Sequence, residues 1–241
     1  VVAYSNYGAA LAAHIVEQVA GVPLAQYVED NIYAPLGMEH STFHQPLPED
    51  LADNVATGYR YVDGQFRAGA FEFIDEAGSM SSTASDMARF MLAHLQGGQL
   101  EGAVILREET SGRMLNQLFT HHPYLDGMAH GFIEGTVNGR RILAHGGGTM
   151  LFNTDLYLLP EEEVGVFVGH SGGNHLVHNE VFQAFMDRFF PADGADVQLP
   201  SPPASGRFDR ASEFVGEYHQ NRRSFLQLQI SSFASSWNRS T

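Results

Sequence analysis

The sequence predicts an α+β fold in which an antiparallel sheet is packed between helices. Three observations carry that reading. Gly131 to Val137 and Arg140 to His145 are strand-like runs separated only by Asn138-Gly139, a pair that tolerates positive φ and closes a two-residue hairpin. Asn153 to Leu159 and Val164 to Val168 repeat the arrangement across Pro160-Glu161-Glu162-Glu163, and consecutive hairpins make an antiparallel meander rather than a doubly wound parallel sheet. Helical periodicity stands at both ends of this region, near the N-terminus and again at Val181, Phe182, Phe185, Met186 and Phe189, so helices are available to cover the sheet.

The elements follow in order. Gly8 to Val19 is an amphipathic helix whose stripe of Leu11, Ile15 and Val19, with Ala9, Ala12 and Val16 beside it, is suited to packing on a sheet. Gly21 stops it, and Pro23 suits the first turn of the next helix. Leu24, Tyr27, Val28 and Ile32 form a second stripe, which Ala34-Pro35 is expected to end. His40 to Ala77 is irregular and broken by proline and glycine, and a long irregular stretch inside a domain is often functional. Its aromatics Tyr59, Tyr61, Phe66, Phe71 and Phe73 either line a binding wall or fill a satellite core under the loop.

Thr83 is a good N-cap, and Asp86 stands where a capping-box partner would. The helix that follows buries Met87, Phe90, Met91 and Leu95 and ends at Gly97-Gly98. A capped turn explains Ser79, Ser81 and Ser82, since no Gly-x-Ser-x-Gly elbow surrounds them. Glu108 to Phe119 reads as a short helix. His121-His122 has no carboxylate or third histidine at a recognised metal spacing, and His175 and His178, near His170, share a helix face only if the helix has begun by His175, so no metal is assigned, and no cofactor is implied. Residues 1–195 therefore read as one domain portion, 196–210 as a Pro-, Ser- and Gly-rich linker, and 211–241 as the start of a small appended β-domain or a disordered tail.

A net charge of −15 argues against attraction to nucleic acid or an anionic membrane. No apolar run reaches the length of a membrane span, and the absence of cysteine removes disulfide and thiol chemistry while leaving the compartment open.

Two short motifs carry the chemistry. Tyr4-Ser5-Asn6 puts a phenol and a carboxamide two residues apart ahead of a helix, where both can face one cleft. His145-Gly146-Gly147-Gly148 sits at the end of a strand. In this order the pair resembles the Tyr-x-Asn and His-x-Gly motifs of the beta-lactamase and penicillin-binding serine hydrolases, especially the class C-like and esterase-like branch. Ile32 to Met38 resembles an architectural stretch of the same family. The family's remaining motif, Ser-x-x-Lys, is missing: the chain has no lysine, and all 13 basic residues are arginine.

The resemblance implies a beta-lactamase/transpeptidase-like fold, truncated at its N-terminus, with the nucleophile upstream of Val1. It implies a serine hydrolase that forms an acyl-enzyme with an ester, an amide or D-amino peptide, or a β-lactam. Tyr4 would carry the proton, Asn6 would hold the acyl or amide carbonyl, and His145, Gly146, Gly147 and Gly148 would form the opposite edge of the cleft. The Gly148 N–H would supply half of an oxyanion hole. Histidine in place of a lysine favours an esterase or peptidase over a true β-lactamase, because a permanent cation is lost. The implied partner is a small-molecule or peptide substrate in an extracytoplasmic compartment. Oligomeric state is not readable. The competing reading is a non-catalytic binding or assembly protein on the same fold.

Overall fold

The computed structural model describes residues 4–74, 78–172, 176–192 and 215–216. It divides into two compact units, Asn6–Ala195 and a second made of Val1–Ser5 with Asp196–Thr241. Of the second unit, Tyr4, Ser5, Val215 and Gly216 are described; the expected linker, and the appended β-domain apart from Val215 and Gly216, lie outside the described residues.

The larger unit begins with α1 (Asn6–Ala20), which ends where Gly21 takes φ +74° and its N–H reaches the Glu17 carbonyl. The Glu17 side chain then accepts the Leu24 N–H at 2.8 Å, closing the corner to α2 (Leu24–Val28). Pro23 is the N-cap of α2 rather than its first residue. The helix does not stop at Pro35. A π-helical turn over Glu29–Tyr33 leads into α3 (Ala34–Leu36), and Gly37 ends the run at φ +63°. The widened turn lets the chain pass a proline that has no N–H to donate.

A short α4 (Glu49–Ala52) precedes the hairpin of β1 (Tyr59–Val62) and β2 (Gln65–Ala68). Helix α5 (Ala84–Leu95) starts as expected, with the Thr83 hydroxyl accepting the Asp86 N–H. Asp86 does not complete a capping box. Its carboxylate accepts from His40 N–H and Ser41 Oγ, both at 2.8 Å, and so ties the helix start to the preceding loop. A two-residue ladder of β3 (Gln99–Leu100) and β4 (Ala103–Val104) follows, then α6 (Glu108–Leu115), which stops four residues short of Phe119 because Asn116 turns extended.

The main sheet has the order β5 (Ile133–Val137), β6 (Arg140–Gly148), β7 (Phe152–Leu159), β8 (Val164–Ser171), antiparallel throughout. Asn138 and Gly139 both take positive φ, 52° and 78°, which is the geometry the β5–β6 turn demands. Strand β7 is buried on both faces. Leu156 and Leu158 join a core with Leu36, Met38, Met87 and Met91, while Tyr157 and Leu159 join Ile142, Phe182 and Met186. Burial of each such apolar side chain contributes roughly 1.5–3 kcal/mol. Helix α7 (Val177–Phe189) covers the second face through Phe182 and Met186, the Phe182 ring stacked on Tyr157 at 3.7 Å, but Val181 and Phe189 remain exposed.

Helix α1 departs from expectation. It packs on α2, has no buried residue, and leaves Leu11, Ile15 and Val19 exposed. Periodicity identifies a face that gains from burial; it does not say which element covers it.

Candidate active site

Strand β6 carries His145, Gly146, Gly147 and Gly148 on its last turn of ladder, paired with Leu156, Asp155, Thr154 and Asn153 of β7. His145 is half-buried and the three glycines are exposed. Strand β5 pairs with β6 only as far as Ile133 opposite Ala144. Among the described residues, no strand pairs with Gly146, Gly147 or Gly148 on that side. The glycine run is thus a piece of sheet edge without side chains, to which an extended ligand can come close.

Gly146 has a second reason to be glycine. A Cβ there would collide with the carboxylate of Asp155, its cross-strand partner. That carboxylate is held in turn by His178 Nε2 at 2.9 Å and by the Tyr157 hydroxyl, which donates at 3.0 Å. Burial, and then the charge of Asp155, raises the Tyr157 phenol well above its ordinary range, so it stays a donor. His178 Nδ1 lies 3.4 Å from His170 Nε2. The pair is therefore a chain of contacts behind the sheet, not a convergent ligand set, and His175 lies outside the described residues. Among the described residues no group of three or more His, Asp or Glu could hold a metal.

Beyond Gly148, the β6–β7 turn is closed by the Thr149 N–H donating to the Phe152 carbonyl at 2.8 Å and is anchored to Glu72 from the irregular region. Neither Asp155 nor Glu72 was visible as a site residue from local patterns, since each acts through a partner distant in sequence.

Asn6 is exposed at the first position of α1, and half-buried Tyr4 belongs to the smaller unit. The aromatics of the irregular region are not a satellite core: Tyr61, Phe66 and Phe73 are 59%, 65% and 70% exposed. The β1–β2 hairpin instead reaches the end of β8, where Tyr59 N–H donates to Ser171 Oγ and Tyr59, Phe66 and Ser171 line a shallow recess. The serine cluster is architectural. Ser81 bridges to Thr42, and the Ser82 hydroxyl meets Ser41 Oγ at 2.7 Å. The His121 ring packs edge-on against Phe119, and the His122 ring accepts the Tyr124 N–H.

The family model described as Beta-lactamase matches residues 1–177. The chain belongs to the beta-lactamase family. A "Putative D-alanyl-D-alanine carboxypeptidase" of Escherichia coli (strain K12) is 37% identical over 70 residues, 29% of this chain and 16% of that protein. "Beta-lactamase-like protein 2" of Dictyostelium discoideum is 31% identical over 93 residues, 37% of this chain and 16% of that protein. Among solved structures, the octameric penicillin-binding protein homologue from Pyrococcus abyssi matches with a TM-score of 0.66 at 22% identity, covering 77% of this chain and 42% of the other. A D-amino acid amidase from Ochrobactrum anthropi SV3 matches with a TM-score of 0.58 at 21% identity, covering 78% and 58%. This beta-lactamase-family chain therefore spans a minor part of those curated relatives and about half of those structures, and the structural likeness establishes its fold.

Proposed function

We propose that this chain is the C-terminal part of a serine hydrolase that cleaves an ester or a D-amino peptide bond through an acyl-enzyme, with the nucleophilic serine and its lysine on sequence preceding Val1. The observation that carries the reading is the His145–Gly148 segment of β6, which runs past the end of β5 and offers backbone groups on a side-chain-free edge. An acyl substrate laid along it would meet the Gly148 N–H as an oxyanion donor, the geometry that stabilises a tetrahedral intermediate. Tyr4 would pass the proton between nucleophile, leaving group and water, and Asn6 would hold the substrate carbonyl. The exposed aromatics of the β1–β2 hairpin and of Phe71 and Phe73 would accept an apolar part of the substrate.

Two features favour ester or peptide over β-lactam. His145 stands where a lysine would fix a substrate carboxylate, and the names of the relatives include a carboxypeptidase and an amidase. An extracytoplasmic location accords with such substrates. The absence of lysine from all 241 residues keeps a non-catalytic binding role as the second reading.

Labelling with a fluorophosphonate probe separates them. A protein extended upstream of Val1 is expected to label on a serine before Val1, and this chain alone is expected not to label. Labelling of Ser5, or of a serine within 79–82, would overturn the assignment of the nucleophile; no labelling in the extended protein supports the binding role.

A further inference from the structure

Three consecutive glycines have no side chains with which to hold their own position, and each is conformationally permissive. The placement of Gly146–Gly148 is therefore set by their backbone surroundings. Along their length runs the β6–β7 ladder, which pairs them with Asp155, Thr154 and Asn153. At their C-terminal end is the turn Thr149–Leu151, and that turn is bound to one carboxylate. Glu72 Oε1 accepts the Met150 N–H at 2.9 Å, Glu72 Oε2 accepts the Leu151 N–H at 3.1 Å, and the Thr149 hydroxyl donates to Oε2. The same hydroxyl oxygen accepts the Phe152 N–H at 3.0 Å, so Thr149 links the carboxylate to the start of β7. The Leu151 side chain, 3% exposed, is seated against two glycines. A Cβ on Gly58 would come 2.6 Å from Leu151 Cβ, and a Cβ on Gly69 would come 2.7 Å from Leu151 Cδ1. Gly58 and Gly69 are themselves joined by an N–H···O bond of 2.9 Å at the base of the β1–β2 hairpin.

We propose that Glu72 is a positioning residue for the candidate active site: by binding the Thr149–Leu151 turn it sets where the Gly148 N–H points and holds that turn against the base of the β1–β2 hairpin. This rests on the hydrolase reading above. Glu72 touches no reacting atom. It acts by presenting a charged acceptor to two backbone N–H groups and one hydroxyl, and charge-assisted bonds of this kind are the stronger ones. Without it the Met150 and Leu151 amides lose that acceptor and the glycine edge loses one of its two anchors. Displacement of an oxyanion donor by about 1 Å costs on the order of a hundredfold in rate.

The test uses Glu72→Gln and Thr149→Val, with Thr149→Ser as the conservative rescue and Glu161→Gln as a surface control. In this chain, amide exchange at Met150 and Leu151 is expected to rise at least ~tenfold in Glu72→Gln, as local opening becomes easier, while core amides of β7 are unchanged. In the upstream-extended protein, Glu72→Gln and Thr149→Val are expected to slow fluorophosphonate acylation and to lower kcat for a nitrophenyl ester by roughly ten- to a hundredfold with KM little changed, the signature of a lost transition-state contact. Thr149→Ser and Glu161→Gln should behave as wild type. Wild-type acylation in Glu72→Gln, or unchanged exchange at Met150 and Leu151, overturns the proposal. A fall in acylation matched by loss of the β7 core amides also overturns it, since that is global destabilisation. Failure of the wild-type extended protein to label at all overturns the hydrolase reading, and the positioning role of Glu72 with it; labelling that is indifferent to Glu72 overturns the positioning role alone.

Discussion

The Asp155 carboxylate lies directly over Gly146, in the space a Cβ would occupy. His178 and Tyr157 hold it there from α7 and from β7 itself. The glycine at this position therefore serves the packing behind the sheet as well as any ligand in front. Gly146→Ala is expected to destabilise the chain by about 1–3 kcal/mol, the usual cost of forcing an extra carbon into a packed site. Much of that cost should vanish in Gly146→Ala/Asp155→Ala, because the two changes share one contact. Urea denaturation of the four proteins of the cycle measures it; strictly additive effects would mean that the clash is relieved elsewhere.

His94 supplies a pH dependence. It is buried between Phe90 and Phe132, and burial lowers its pKa from the ordinary 6.5 to about 4. A depressed histidine is neutral in the folded state and takes up a proton more readily when unfolded. Its contribution to stability is thus fully present above pH 6.5 and is lost as pH falls toward 4. The urea midpoint is expected to drop between pH 7 and pH 5, and to drop less in His94→Leu. Equal drops in both proteins would remove His94 as the cause.

Under the proposed function, Tyr4 carries the proton. In the upstream-extended protein, Tyr4→Phe is expected to lower kcat for a nitrophenyl ester by about 10²–10⁴-fold, the range of general acid–base catalysis. In this chain alone, the wild type and Tyr4→Phe should hydrolyse the ester equally, at the background rate. A difference between them in the isolated chain would show chemistry that needs no upstream serine.

The exposed ring of Phe66 gives a test of the aromatic wall. Its edge lies where a Cβ on Gly172 would meet it at 3.0 Å, its centroid is 5.0 Å from that of the Tyr61 ring, and most of the residue remains exposed. Phe66→Ala is expected to raise KM for a hexanoate ester about fivefold, equivalent to partial burial of one ring, and to leave an acetate ester unaffected. Equal effects on both esters would place the hairpin away from the acyl group.

The exposed stripe of α1 predicts poor solution behaviour. Leu11, Ile15 and Val19 are expected to promote association of the isolated chain, and Ile15→Glu with Val19→Glu should reduce it, as read by light scattering. Unchanged scattering would assign the association to another surface.

The sequence alone determined the local geometry: the Asn138-Gly139 turn, the Thr83 cap, the Gly21 and Gly97 stops, and the antiparallel run of strands. Each depends on residues within a few positions of one another, where backbone sterics and periodicity act directly. The motif order also made the family legible through Tyr4-Ser5-Asn6 and His145-Gly146. Tertiary structure decided what supports the glycine edge. Glu72 meets the Met150 and Leu151 amides 78 and 79 residues away, and Asp155 faces Gly146 only because of the β6–β7 register. It also decided that α1 rests on α2, that the helix passes through Pro35, and that the hairpin aromatics stay exposed. The physical reason is the same in each case: local preference specifies that a face or a carboxylate needs a partner, but only the course of the whole chain determines which partner comes within reach.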